Sequence, residues 1–202
     1  MTIGKGTGWG YPSTLPAGAM VHGSDRSLFE FVNRQRAEGS TLVLCGLAGG
    51  SLWSMLGGPS CIGRVLTSEA MTYPCDLVRV ETDSGQWWFA GSLVARTRTW
   101  SRALLAMNVQ NIGPYRFGHR AHPGDGLVDV YEAALPFQQR VLVAKRARLG
   151  AHLPHPGVRE QRVREGRFAL DRAVGFWLDG QRCGRSRTFS LVVEPDALSV
   201  VI

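Results

Sequence analysis

Four of the five histidines stand in two i, i+3 pairs, His119-x-x-His122 and His152-x-x-His155. Imidazoles spaced this way are the first candidates for a zinc site. Both pairs sit beside prolines in predicted loops, where no helix fixes ligand geometry, and this argues against zinc. Asp125-Gly126 and Asp179-Gly180 could do acid–base or metal chemistry, but an Asp-Gly step before or between apolar runs reads first as a turn. Gly46, Gly49 and Gly50 mark a glycine turn that matches neither G-x-x-x-x-G-K-[ST] nor G-x-G-x-x-G. GKGTGWG at 4–10 has no strand before it and is no phosphate loop. The charge is uneven: 23 Lys and Arg face 16 acids for a net +7. Arg140, Lys145, Arg146, Arg148, Arg159, Arg162, Arg164 and Arg167 stand together against Glu160 and Glu165. Such a segment attracts nucleic acid, an anionic headgroup or a phosphorylated ligand, or is simply a solvated helix face with its flanking loop.

The elements that must position these residues follow from length and pattern. The chain has 202 residues, 44% hydrophobic and 19% charged, which suits a domain with a sizeable core and excludes a disordered tail or a coiled coil. No apolar run reaches the roughly 18 residues of a membrane span, and the first dozen residues have no apolar core of a signal peptide. A cytoplasmic location is therefore expected. Cys45, Cys61, Cys75 and Cys183 form no C-x-x-C pair and read as reduced, buried small side chains.

Residues 1–24, rich in Gly, Ser and Pro, read as a flexible segment. Ser24-Asp25 offers an N-cap for a helix that Gly39 closes; 41–45 reads as a buried strand, and 51–56 as a short helix. Residues 25–75 thus form an abbreviated αβα unit. From 76 to 202 strands dominate: a hairpin pairs 77–82 with 87–93 through Asp83-Ser84-Gly85, and further strands cover 104–109, 127–133, 168–170, 174–178, 189–193 and 198–202. Turns are expected at Asp179-Gly180 and Pro195-Asp196, and one basic helix at 136–149. The fold class is α+β, mostly β: an antiparallel β-sandwich with one inserted basic helix. Trp87 and Phe89 are expected in its core, with Trp88 left open.

Two stretches carry a recognisable pattern. The first is Asn108-Val-Gln-Asn-Ile-Gly113 followed by Arg120-Ala-His-Pro-Gly-Asp125-Gly-Leu-Val-Asp129. The second is His152-Leu-Pro-His-Pro-Gly157, Trp177-Leu-Asp-Gly-Gln181 and the ending Val193-Glu-Pro-Asp-Ala-Leu-Ser-Val-Val-Ile202. In order and spacing, from about Pro74 onward, they resemble the C-terminal domain of the bacterial diacylglycerol kinase and sphingosine kinase-like lipid kinases. The resemblance implies a two-domain, ATP-dependent lipid kinase design whose β-sandwich helps to form the lipid site.

Three departures bear on chemistry. The family's G-G-D-G-T loop for ATP is absent. Its G-T-x-N-D-x-x-x-x-L-G segment aligns with Leu47 to Gly57, placing Gly50 and Ser51 where Asn and Asp stand. Its L-D-G-E glutamate, the general base on the lipid hydroxyl, falls at Gln181, and an amide has no usable basicity near neutral pH. The resemblance also implies a Mg²⁺ site made by the His122 and Leu127 carbonyls and the Asp125 carboxylate. The expected function is a lipid kinase-like protein without autonomous kinase activity. It would bind a lipid or phosphorylated ligand near Asn108, Gly50 and Ser51, with Arg146 and Arg148 facing an anionic headgroup or membrane surface. The alternatives are an active transferase completed by a partner chain that supplies the ATP half, and a basic nucleic-acid-binding protein, for which no RRM, KH, helix-turn-helix or OB signature exists. Exposed strand edges would permit a homodimer.

Overall fold

The computed structural model describes residues 9–58, 65–67 and 69–202. Two-residue strands β1 (Tyr11–Pro12) and β2 (Val21–His22) precede helix α1 (Asp25–Ala37). Ser24 caps α1 by accepting the Ser27 amide at 3.2 Å, which satisfies one of the helix's free donors. The helix buries Leu28, Phe29 and Val32 and stops before Gly39, whose φ of +89° suits glycine at a helix end. Strand β3 (Val43–Leu47) and helix α2 (Gly50–Met55) complete the αβα unit.

This unit is stitched into the sheet that follows. β4 (Met71–Thr82) runs through the boundary at 75/76 and pairs with β5 (Gly85–Phe89), the predicted hairpin. Then come β6 (Ser92–Arg96), β7 (Arg102–Met107), the small ribbon β8 (Asn111–Ile112) and β9 (Tyr115–Arg116), and β10 (Val128–Ala134). Helix α3 (Phe137–Ala147), β11 (Val158–Val163), β12 (Glu165–Leu178) and β13 (Gln181–Val201) finish the chain. β3 lies parallel to the end of β13, with Val43 opposite Leu198.

The main path of the sheet is β1-β4-β13-β12-β6-β7-β10-β11. β4 and β10 are five spacings apart along it, roughly 24 Å in a flat sheet. Yet Val78 and Val80 of β4 share one core with Val128 and Val130 of β10, so the sheet folds over until its inner faces meet as a sandwich. Phe89, Phe176 and Phe189 fill this core, with the last two rings edge to face at 5.5 Å. Trp87 packs against its edge. Trp88 turns the other way, donating to Glu194 Oε1 at 3.1 Å. A second core joins Leu28, Val32, Cys45 and Leu52 to Leu77, Leu198 and Val200. The fold is thus α+β and mostly β, with the αβα unit packed on its own sandwich.

Some boundaries move. Leu93 belongs to β6, not to the hairpin arm. Residues 168–170 and 174–178 fuse into β12 across a register shift between Ala169 and Val174. Pro195-Asp196 is a bulge inside β13 and not a turn: the register slips between Glu194 and Leu198, and Asp196 takes a φ of +54°. A bulge bends a strand without ending it, and this one lets β13 serve both cores. Residues 158–163, expected as a loop beside the basic helix, are the edge strand β11. Cys45 and Cys75 are buried free thiols, burial pushing Cys45 up to about 12, and Cys183 is half-buried; Cys61 lies outside the described residues. No helix among the described residues is long and apolar enough to cross a membrane.

Candidate functional site

β7 reads Arg-Ala-Leu-Leu-Ala-Met and is buried on both faces after its first residue. Its inner face, Leu104 and Ala106, belongs to the sandwich core. Its outer face, Ala103 and Leu105, floors a cavity of about 770 Å³ together with Tyr131 and Ala133 of β10 and Val94 of β6. The ribbon β8–β9 and helix α3 roof it through Tyr115, Phe117, Val141 and Ala144. Arg96 and Arg140 are its charged lining residues. Arg96 lies over Trp100 and Trp177, 4.7 and 4.8 Å from the ring centres, and Arg140 donates to the Thr99 carbonyl. His152 also lines the cavity, edge to face with Phe117 at 5.6 Å, and burial pushes its pKa down.

Gly180 and Ser92 are among the cavity's lining residues, and Asp179 touches both, preceding Gly180 in the chain and accepting the Ser92 amide. Asp179 and Gly180 take positive φ, +46° and +81°, in the predicted turn between β12 and β13. The Asp179 carboxylate is buried and accepts the amides of Ala90, Gly91 and Ser92 at 2.9, 2.9 and 2.7 Å. Burial pushes it up to about 7 against these three donors, and the Asp25 charge acts in the same direction. Asn108, wholly buried, donates to the Ala90 and Asp76 carbonyls at 2.8 and 3.0 Å. It holds the same corner from β7's end. Gln181 comes next after the turn, half-buried, its amide reaching only the Arg182 carbonyl at 3.5 Å.

Gly50 and Ser51 stand across from this corner on Asp25. The Ser51 amide and hydroxyl both donate to the Asp25 carboxylate, at 2.6 and 2.7 Å. Gly50 has φ +95°, and a Cβ there would meet Asp25 Oδ1 at 2.4 Å. Gly50→Ala is therefore expected to cost at least about 1–2 kcal/mol for the left-handed backbone alone. The measure is a lower urea midpoint at unchanged m-value; an unaltered midpoint would contradict the assigned geometry.

The Asp125 loop is tied down from below. Asp125 Oδ1 accepts the Leu127 amide at 3.0 Å, and Oδ2 is held by Arg162. Arg162 also donates to Asp129 at 2.8 Å, so one guanidinium bridges two carboxylates. Asp76 accepts the Gly126 and Asp196 amides at 2.7 and 3.1 Å and is pushed up to about 6 by burial. The Asp125 carboxylate, expected to take part in a magnesium site with the His122 and Leu127 carbonyls, is thus held by Arg162 and the Leu127 amide. The His122 ring lies tilted at 50° against Trp9, centroids 4.5 Å apart, beside a second hollow of about 460 Å³. Its Nδ1 accepts the Gly124 amide, as His155 Nδ1 accepts that of Gly157. His119 lies 3.9 Å from Glu160. Among the described residues no three His, Cys, Asp or Glu side chains form a metal-holding group.

The basic segment divides. Arg146 is exposed on α3, and Arg148, just after it, lies 5.5 Å from the Tyr115 ring. Arg159 and Arg162 belong to β11 and face Glu132, Asp125 and Asp129. Sequence reasoning missed Asp76, Asp129 and Arg162 as a network, and missed the cavity. The double-sided burial of β7 was its one available signal, since an apolar strand without alternation must be covered on both faces.

Three solved structures from Bacillus anthracis str. Sterne, all described as diacylglycerol kinases and two of them provisionally, superpose on 90% of this chain. Their TM-scores are 0.64, 0.67 and 0.63 at 11%, 9% and 12% identity, over 76%, 76% and 74% of their own lengths. The chain has a diacylglycerol-kinase-like fold. No protein-family model matches it, and no functionally curated protein matches by sequence. Within this fold the Asp179 turn and Asn108 meet at Ala90, and the Asp125 loop joins them through Asp76. Arg146 is exposed on α3 and does not line the cavity.

Proposed function

We propose that this chain is a member of the diacylglycerol kinase-like family that binds a lipid in the cavity on β7 and β10 and does not transfer phosphate by itself. The cavity carries the reading. Its roughly 770 Å³ and mostly aliphatic and aromatic lining suit an acyl chain, since each methylene taken from water contributes about 0.8 kcal/mol. Arg96 and Arg140, its charged lining residues, offer a place for the glycerol or headgroup portion. Two features speak for binding without turnover. Gln181 cannot accept a proton from a hydroxyl at neutral pH, and the Asp125 carboxylate is neutralised by Arg162.

Native mass spectrometry of gently purified protein tests this. A co-purified lipid mass is expected, with no nucleotide adduct after Mg²⁺ and ATP are added. Ala133→Trp, which fills the cavity from β10, is expected to remove the lipid while the melting temperature stays within a few degrees. Lipid-free wild type, or ATP-dependent phosphorylation of diacylglycerol by it, would overturn the reading.

A further inference from the structure

His152 is a buried polar side chain without a hydrogen bond. Only 5% exposed, it lines the cavity. Its Nδ1 is buried with no partner, and its Nε2 has none among the described residues either. Phe117 meets the ring edge to face at 5.6 Å. Glu160 acts on the ring through its charge, but faces His119 at 3.9 Å. Tyr131 and Thr99 share the lining, and their hydroxyls donate to Asp129 and Ser101. His152 has no such outlet.

Buried polar groups in folded proteins are nearly always bonded, and leaving one unpaired is costly. An imidazole left open at the wall of an apolar cavity is a group for the cavity's occupant to complete. Burial pushes its pKa down, so the neutral ring donates from one nitrogen and accepts at the other. A hydroxyl does both, and suits either tautomer. The place of the ring says which part of a ligand it meets. Arg140 is anchored on the Thr99 carbonyl near the start of α3. His152 follows the other end of the helix, where the Ala151 amide donates to the Arg146 carbonyl at 3.0 Å. From Arg140 to Ala147 the helix rises about 10 Å. A headgroup at Arg140 therefore leaves the chain of the ligand beside His152.

We propose that His152 is a specificity-determining residue of the cavity: it hydrogen-bonds a hydroxyl on the ligand's chain, so that the cavity selects a lipid hydroxylated in mid-chain over a plain one. This rests on the cavity being a lipid site with the headgroup at Arg96 and Arg140.

Three fatty acids test it: stearate, stearate with a mid-chain hydroxyl, and stearate hydroxylated next to the carboxylate. Binding is read by tryptophan fluorescence, since Trp100 and Trp177 line the cavity. Wild type is expected to bind the mid-chain hydroxy acid roughly fivefold tighter than the other two. His152→Leu, apolar and of similar size, should bind all three alike, and His152→Gln should keep part of the preference. Both variants should melt like wild type, because no hydrogen bond to the ring is lost. Any other order of affinities in wild type, equality included, would overturn this proposal alone. So would a preference that survives in His152→Leu. Wild type that binds none of the three would overturn the cavity reading together with it.

Discussion

Asp179→Ala is expected to lower the unfolding free energy by roughly 3–6 kcal/mol, because it strands three buried backbone amides that each cost about 1–3 kcal/mol unpaired. The amides of Ala90, Gly91 and Ser92 all donate to this one carboxylate. The turn itself resists the change, since Asp tolerates the left-handed backbone at φ +46° better than Ala does. Asp179→Asn should recover part of the loss, its remaining oxygen still accepting from Gly91 and Ser92. Urea unfolding of the three proteins measures this, and an Asp179→Ala midpoint equal to wild type would refute the assigned network.

The same residue predicts a pH profile. Burial raises Asp179 to about 7 and Asp76 to about 6 from an ordinary 3.8. Across that window the folded chain holds protons that the unfolded chain has released. The stability these two groups contribute is fully present below pH 3.8 and is lost as pH rises through about 6 and about 7. Asp179→Asn should flatten the upper part of that decline.

The second large effect is expected at Arg162. Its guanidinium neutralises Asp125 and Asp129, and the Asp129 side chain is 0% exposed. Removing one member of a buried pair leaves an uncompensated charge and costs about 3–5 kcal/mol. For a chain of this size that lowers the melting temperature on the order of 10 °C. Arg162→Ala should therefore melt early, and Arg162→Ala/Asp129→Asn should regain much of the difference. Burial holds Asp129 above its usual range, so acidification protonates the stranded carboxylate and should narrow the gap between wild type and Arg162→Ala. A gap that widens on acidification would show that Asp129 is not the charge left behind.

Local signals were legible wherever a few neighbours decide the structure. Ser24 and Gly39 bound α1, Asp83-Ser84 closes the β4–β5 hairpin, and Asp179-Gly180 makes its turn, because caps and left-handed backbone are chosen by single residues. β11 was hidden because Val-Arg-Glu-Gln-Arg-Val carries mostly polar side chains on an edge strand, where charge guards an exposed ladder. The bulge at Pro195-Asp196 has the composition of a turn, and only the pairing of β13 with β4 on either side makes it a bend. Contacts between distant residues were the least visible: Asp25 with Ser51, Asp125 with Arg162, and Asp76 with Gly126 lie 26, 37 and 50 residues apart in the chain. The corner around Asn108 and Asp179 was legible as a set of motifs, while the carboxylate network and the cavity needed the fold.

The pairing of β3 with the end of β13 has a kinetic consequence. Val43 finds its neighbour at Leu198, across 155 residues of chain, and Val21 in turn adds to β3. Contacts of such long range slow folding, because loop-closure entropy is lost before any contact repays it. During synthesis, β3 has no β13 partner until Leu198 has been added, although α1 can already pack against β4 and β5. β3 is thus the part of this protein that depends on waiting, and the part a chaperone would find exposed.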